Sequence, residues 1–182
     1  MRIKGTTLRS YINVVSRLEH RAAVIAQLPP DTAAMINNPP LPGTWSEWRH
    51  IQEITVAVEI VDGLAGVRRL ADDAIEEAKR PYVRVLEGLI RLFGTSPATI
   101  YKRMNDLVKN AVENMAYTYR IMSNHSGTME VSYSGDAEIP FCMFVGGRAA
   151  LVAVLDACGV KGEVSEPERL GPRRTLYHIS WQ

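Results

Sequence analysis

The chain has little cysteine: two residues in 182, Cys142 and Cys158. Their spacing matches neither a close zinc pair nor a redox Cys-x-x-Cys. They read as small core thiols in a reducing compartment. A charge excess of one sign is also missing. Lys plus Arg number 21 and Asp plus Glu number 20, a net charge of +1. That argues against a general nucleic-acid binder and against disorder. No stretch approaches the roughly 18 uninterrupted apolar residues of a membrane span. The longest apolar-rich stretch, Ile54 to Val61, is broken by Thr55 and Glu59. Met1 to Ser10 lacks the apolar segment of a secretory signal. A cytoplasmic protein is expected. Catalytic signatures are missing too, with no Gly-x-Ser-x-Gly and no His-Glu-x-x-His.

What is present is ordinary for a globular domain: 46% hydrophobic and 23% charged residues. A chain of this length buries about 70% of its unfolded surface and needs no staple. One domain over 1–182 is expected, with a helical part over 1–113 and strands plus a late helix over 114–182.

Periodicity supplies the elements. Thr6 and Thr7 can cap a helix carrying Leu8, Tyr11, Val14, Val15 and Leu18. A short helical stretch from Arg21 to Leu28 stops at Pro29-Pro30. A breaker-rich loop follows at Asn37-Asn38-Pro39-Pro40 and Pro42-Gly43, either a lid or an idle connection. Thr44 or Ser46 can cap a strongly apolar helix bearing Trp48, Ile51, Ile54, Val58 and Val61, ended at Gly63 and Gly66. Leu70, Ala74, Ile75 and Ala78 line the next helix. Pro81 restarts the chain into a stripe of Val83, Leu86, Leu89, Ile90 and Phe93, ended by Gly94. Ser96-Pro97 opens another helix with Ile100, Met104, Leu107 and Val108 inside.

Near Asn114 the period drops from about 3.6 to 2. Tyr117, Tyr119 and Ile121 alternate with polar residues, and so do Met129, Val131 and Tyr133. The short Gly-containing turn between them makes a hairpin. A helix through Phe144, Leu151, Val152, Leu155 and Cys158 stops at Gly159. A short strand around Gly162 to Val164 and a last strand ending in Trp181 complete the chain. The fold class is α+β: a helical N-terminal layer on a C-terminal twisted antiparallel sheet with one late helix.

Several residues carry a family pattern. They are Lys4-Gly5-Thr6-Thr7-Leu8-Arg9, Leu28-Pro29-Pro30, Leu41-Pro42 to Trp45, Phe93-Gly94-Thr95-Ser96-Pro97, Cys142, the helix to Gly159, and the final strand to Trp181. By these the chain resembles an uncharacterised paralogous family expanded in myxobacteria, over nearly its whole length. More distantly it resembles a superfamily of heme–nitric-oxide-binding domains, 4-vinyl-reductase domains and vesicle-tethering subunits. That resemblance implies helices on a twisted antiparallel sheet, often dimeric, holding a small apolar molecule or serving as a scaffold. Fold by itself does not fix function.

Heme needs an axial ligand in an apolar pocket. The histidines are His20 at a helix end, His50 about 100° around its helix from Ile51, His125 in a turn, and His178 on the strand face opposite Tyr177. The resemblance adds a Tyr-x-Ser-x-Arg motif for the propionates, which this chain lacks; after Tyr133-Ser134, position 136 is Asp136. No heme and no metal are expected. Cys142, Cys158 and a histidine form a poor zinc set. Asp72, Asp73, Glu76 and Glu77 read as a solvated face. Gly146-Gly147-Arg148, expected to open the late helix, read as close packing more than as an anion site.

The candidate ligand pocket comprises Trp48, Ile51, Ile54, Val58, Phe93, Tyr101, Tyr117 and Tyr119. A cavity and a filled core use the same residue types, so both remain open. The expected function is a non-enzymatic small-molecule-binding or sensory module with an apolar ligand, acting through a homodimer or protein partner. The alternative is a structural or protein-interaction adaptor with a filled core. No nucleic-acid partner is expected.

Overall fold

A computed structural model describes residues 1–93 and 96–182, with the side chains of 79–93 left out. The expected stripe Val83, Leu86, Leu89, Ile90 and Phe93 and the helix end at Gly94 lie outside the described residues.

The chain opens with a short strand, β1 (Arg2–Lys4), then α1 (Gly5–Val15). α1 starts one residue before the expected capping threonines, and Lys4 at its cap makes no side-chain bond to it. β1 pairs antiparallel with β2 (Trp45–Glu47). Two three-residue strands are too short to show alternation, so periodicity could not reveal them. Residues 45–47 are therefore strand where a helix cap was expected.

α2 (Arg21–Ala26) and α3 (Pro30–Asn37) follow α1. α3 was not expected. Pro30 occupies its first turn, where the missing N–H is harmless, so the Pro29-Pro30 stop is also a start. The breaker-rich loop is tied down: the Gly5 N–H donates to the Thr44 carbonyl at 2.8 Å and the Thr6 N–H to the Pro42 carbonyl at 3.0 Å.

α4 (Arg49–Phe93) is two helical stretches joined across a kink at Gly63, which has φ 64° and ψ −170°, so the joint expected at Gly63 and Gly66 is there, at Gly63. The expected restart at Pro81 is not a break; helical backbone runs through it. The Gly63 conformation is essentially confined to glycine. A Cβ there meets no atom within 4 Å, so any penalty is conformational rather than steric. Gly63→Ala is expected to destabilise the protein by about 1–3 kcal/mol, read from the urea midpoint.

α5 (Pro97–Tyr101) and α6 (Met104–Val108) lead to the sheet. Its strands are β3 (Met115–Ser123), β4 (Ser126–Tyr133), β5 (Gly162–Val164), β6 (Glu168–Gly171) and β7 (Arg174–Trp181). The order is β3-β4-β7-β5, with β6 also on β7 and all pairs antiparallel. Tyr119 faces Met129, which faces Tyr177 across the next pair. The expected alternation holds: Met129, Val131, Tyr133, Thr175, Tyr177, Ile179 and Trp181 are buried, while Arg174 and His178 are exposed on the other face.

Between sheet and α4 lies α7 (Phe141–Cys158), ended by Gly159 in the left-handed region at φ 67°. It is the helix among the described residues long and apolar enough to cross a membrane, with a mean hydropathy of 1.7. Here it is a core helix. Cys142, Phe144, Leu151 and Leu155 are buried between α4 on one side and β5 and β7 on the other. The architecture is α+β, as the periodicity implied.

Candidate functional site

The interior between the helical layer and the sheet is built first from α4. Ile51, Ile54 and Val58 recur at helical spacing and are at most 1% exposed. Trp48, just ahead of α4, lays its ring 5.8 Å from Tyr133 of β4, whose ring is 5.9 Å from Phe144 of α7. This stack bridges α4, sheet and α7.

Tyr101 closes α5 and belongs to a second cluster. Its ring lies 5.4 Å from Tyr119 and 6.4 Å from Trp181, and its hydroxyl donates to the Leu151 carbonyl at 2.8 Å. Burial holds that phenol well above its ordinary pKa. Tyr117 lies on β3, where its main-chain N–H and carbonyl both bond the Asn105 side-chain amide at 2.8 Å. Of the eight expected pocket residues, seven are described: Trp48 in one ring cluster, Tyr101 and Tyr119 in the other, Ile51, Ile54 and Val58 on the buried stripe of α4, and Tyr117 half-buried on β3; the Phe93 side chain is outside the described residues. Phe144 and Trp181 belong to these clusters although neither was expected in the pocket. Their signal was the alternation and helical spacing that also mark any core residue.

Two polar atoms in these clusters stand out. Among the described residues, Trp48 Nε1 and Tyr119 Oη are buried without a hydrogen-bond partner, as is Arg68 Nε elsewhere. The ring of Tyr119 lies over Gly127 of β4, where an added Cβ would come within 2.4 Å of its hydroxyl. Only glycine lets the ring occupy that position. By contrast Tyr177 donates its hydroxyl to the Phe144 carbonyl at 2.5 Å. A void between α1, α4 and α7, lined by Tyr11, Thr55, Leu70 and Met143 among others, measures about 10 Å³, room for about one water. Burial pushes the Tyr11 phenol up to about 12.

A separate polar cluster ties α3 to α4. Thr32 and His50 are buried, at 0% and 3% exposure. Thr32 Oγ1 donates its single proton to Glu53 Oε2. The 2.6 Å contact between Thr32 Oγ1 and His50 Nδ1 must then be a donation from the imidazole, which fixes the Nδ1–H tautomer. Arg49 binds Asp31, Glu47 and Glu53. Periodicity carries no trace of this cluster, because its members come from α3, β2 and α4, of which the first two were not expected.

The Arg49 guanidinium lowers the Asp31 and Glu47 carboxyls from their ordinary 3.8 and 4.5. Depressed carboxyls give stability that is fully present above the unfolded values and is lost as pH falls through the folded ones. The melting temperature of wild type is therefore expected to fall below pH about 4.5 more steeply than that of Arg49→Met, in a pH series of thermal melts.

Other expected chemistry resolves as packing. Gly146 and Gly147 lie inside α7, not at its start, because the helix begins five residues earlier at Phe141. Their backbone N–H groups face the helix interior and cannot cradle an anion. Gly146 instead sits against Ala71 and Val67, Gly147 against the Tyr177 hydroxyl, and Arg148 donates to the Val164 carbonyl at 2.8 Å. Burial, with Glu59 nearby, pushes the Cys142 thiol up to about 12, and burial also raises Cys158. Among the described residues no three His, Cys, Asp or Glu side chains converge on a metal-sized site. On the acidic face of α4, Glu77 pairs with Arg17 at 2.6 Å.

No protein-family model and no curated protein matches the chain. Solved structures do. A point mutant of an Fe(II) unliganded H-NOX protein from K. algicida aligns with a TM-score of 0.71 at 12% identity, covering 99% of this chain and 97% of that one. The unmutated K. algicida protein gives 0.67 at 12% identity, with the same coverage. The fold is H-NOX-like. An oxygen-binding H-NOX domain related to soluble guanylate cyclases gives 0.63 at 12% identity, covering 99% and 95%. This agrees with the heme–nitric-oxide-binding branch of the resemblance.

The names of such H-NOX structures mention heme, Fe(II) and oxygen. A heme-binding chain would have to present an axial ligand inward. Of the four histidines, His20, His125 and His178 are exposed and His50 is bonded to Thr32. Among the described residues no histidine is free and presented inward as an axial ligand.

Proposed function

We propose that this chain is a non-enzymatic sensory module. It binds a small, largely apolar molecule carrying a hydrogen-bond acceptor, between the helical layer and the sheet. One observation carries the reading: Trp48 Nε1 and Tyr119 Oη are buried donors without partners among the described residues. Leaving such a donor unmet costs about 1–3 kcal/mol. An acceptor on a bound molecule removes that cost, so occupancy stabilises the folded state. The H-NOX-like fold supports the sensory class.

The second reading is an interaction adaptor with a filled core. It is favoured by the water-sized void and by the Tyr101 and Tyr177 hydroxyls, which are bonded to main-chain carbonyls.

Native mass spectrometry beside the denatured mass tests both. The ligand reading expects extra mass lost on denaturation. Adding the released molecule back is expected to raise the melting temperature. Trp48→Phe and Tyr119→Phe keep a ring and delete the donor; each is expected to weaken binding about tenfold, one hydrogen bond's worth. A ligand-free mass, no response to extracted small molecules and a stable protein complex would establish the adaptor instead.

A further inference from the structure

We infer that this chain is a heme-free version of its fold: its interior excludes a porphyrin, and any molecule it holds is smaller. The second clause rests on the ligand reading above; the first does not.

Axial ligation is the first obstacle. A heme iron is held by imidazole, thiolate, thioether or phenolate. His20 is exposed beside α2, His125 in the hairpin turn, and His178 on the outer sheet face 3.8 Å from Glu168. His50 is buried, but next along the helix from the inward Ile51, so it is turned about 100° from that stripe. Its Nδ1 donates to Thr32, whose hydroxyl donates to Glu53. The imidazole is a tie between α3 and α4, not a group presented to the sheet.

Among the other described donors, burial raises the Tyr11, Tyr117, Tyr119 and Tyr133 phenols and so disfavours the phenolate that would ligate iron, and the Met104 and Met129 thioethers are packed in the core. Cys142 and Cys158 are buried, and burial keeps both thiols protonated. The Tyr101 and Tyr177 hydroxyls donate to Leu151 and Phe144 carbonyls.

Space is the second obstacle. Cofactor and drug-sized pockets run to roughly 300–1,000 Å³. One void among the described residues, between α1, α4 and α7, measures about 10 Å³. The slot between α4, the sheet and α7 is occupied by the rings of Trp48, Tyr133 and Phe144, whose successive centroids are 5.8 and 5.9 Å apart. Opening it for a flat macrocycle would break this stack.

Hemin titration of the full chain, followed by absorption in the ferric state and after reduction under carbon monoxide, tests the inference. The expected result is the free-hemin spectrum with no endpoint at one equivalent. A variant with His20, His125 and His178 all replaced by Gln removes surface coordination. A saturable one-to-one Soret band that persists in that variant overturns the inference; a band that vanishes in it is surface binding and upholds it. The two readings fail separately. A hemin endpoint leaves a sensor with a different ligand. A chain that takes neither hemin nor any small molecule keeps the exclusion of heme and loses the ligand reading.

Discussion

Phe144→Ala is expected to lower the free energy of unfolding by about 3–5 kcal/mol. Phe144 is fully buried, and its ring meets Tyr133 at 5.9 Å and Phe141 at 6.5 Å. The substitution removes apolar area and leaves a cavity between α7 and the sheet that well-packed neighbours fill only in part. Its backbone carbonyl, the acceptor for Tyr177, remains, so the loss measures the ring's packing together with the Arg169 guanidinium 5.8 Å over it. Urea unfolding should show a lower midpoint with an unchanged slope. A change below about 1 kcal/mol, typical of a lightly packed position, would mean that the slot around Phe144 is already open.

Thr32→Val should have the next largest effect, a loss of about 1–3 kcal/mol. Valine nearly matches threonine in shape, so the cost is chemical. The hydroxyl both accepts from His50 and donates to Glu53, at a site with no exposure to water. Without it a buried imidazole N–H and a carboxylate oxygen each lose a partner. A double-mutant cycle with Glu53→Gln, followed by thermal melts, should give a coupling of about 0.5–3 kcal/mol, as for residues in one network. Additive losses would show that Thr32 and Glu53 do not act together.

How much of this was legible follows from what periodicity can encode. The hairpin, the last strand and α7 were plain, because Met129-Val131-Tyr133 and Tyr177-Ile179-Trp181 alternate without interruption and Gly159 marks a helix end. β1, β2 and β6 were not: strands of three or four residues are fixed by the pairing that holds them, as Ile3 is by Ser46, and of the short strands only β5, just after the Gly159 stop, was expected. Pro29-Pro30 signals both a stop and a start, and α3 shows which was used. Gly146-Gly147 looked like a helix opening because sequence shows small residues but not which neighbour needs their smallness; here it is α4 and Tyr177. Trp48, Ile51, Ile54, Val58 and Tyr101 were recognisable as inward-facing, while Tyr117 and Tyr119 are half-buried. Their division into two ring clusters, and the two donors lacking partners, depend on distances between segments far apart in sequence.

The bond between Asn105 and Tyr117 has a consequence for how the molecule behaves in a crowded solution. β3 is an outer strand of the sheet, and the Asn105 amide offers it one donor and one acceptor, as a neighbouring strand would. A single side chain thus imitates one residue of a strand and blocks that stretch of edge against a foreign strand. Further along, the exposed Ile121 and Met122 sit beside an irregularity in the β3–β4 pairing, and such bulges twist an edge away from flat pairing. This rim of the sheet carries two devices that oppose fibril-like stacking, one amide and one misregistered residue.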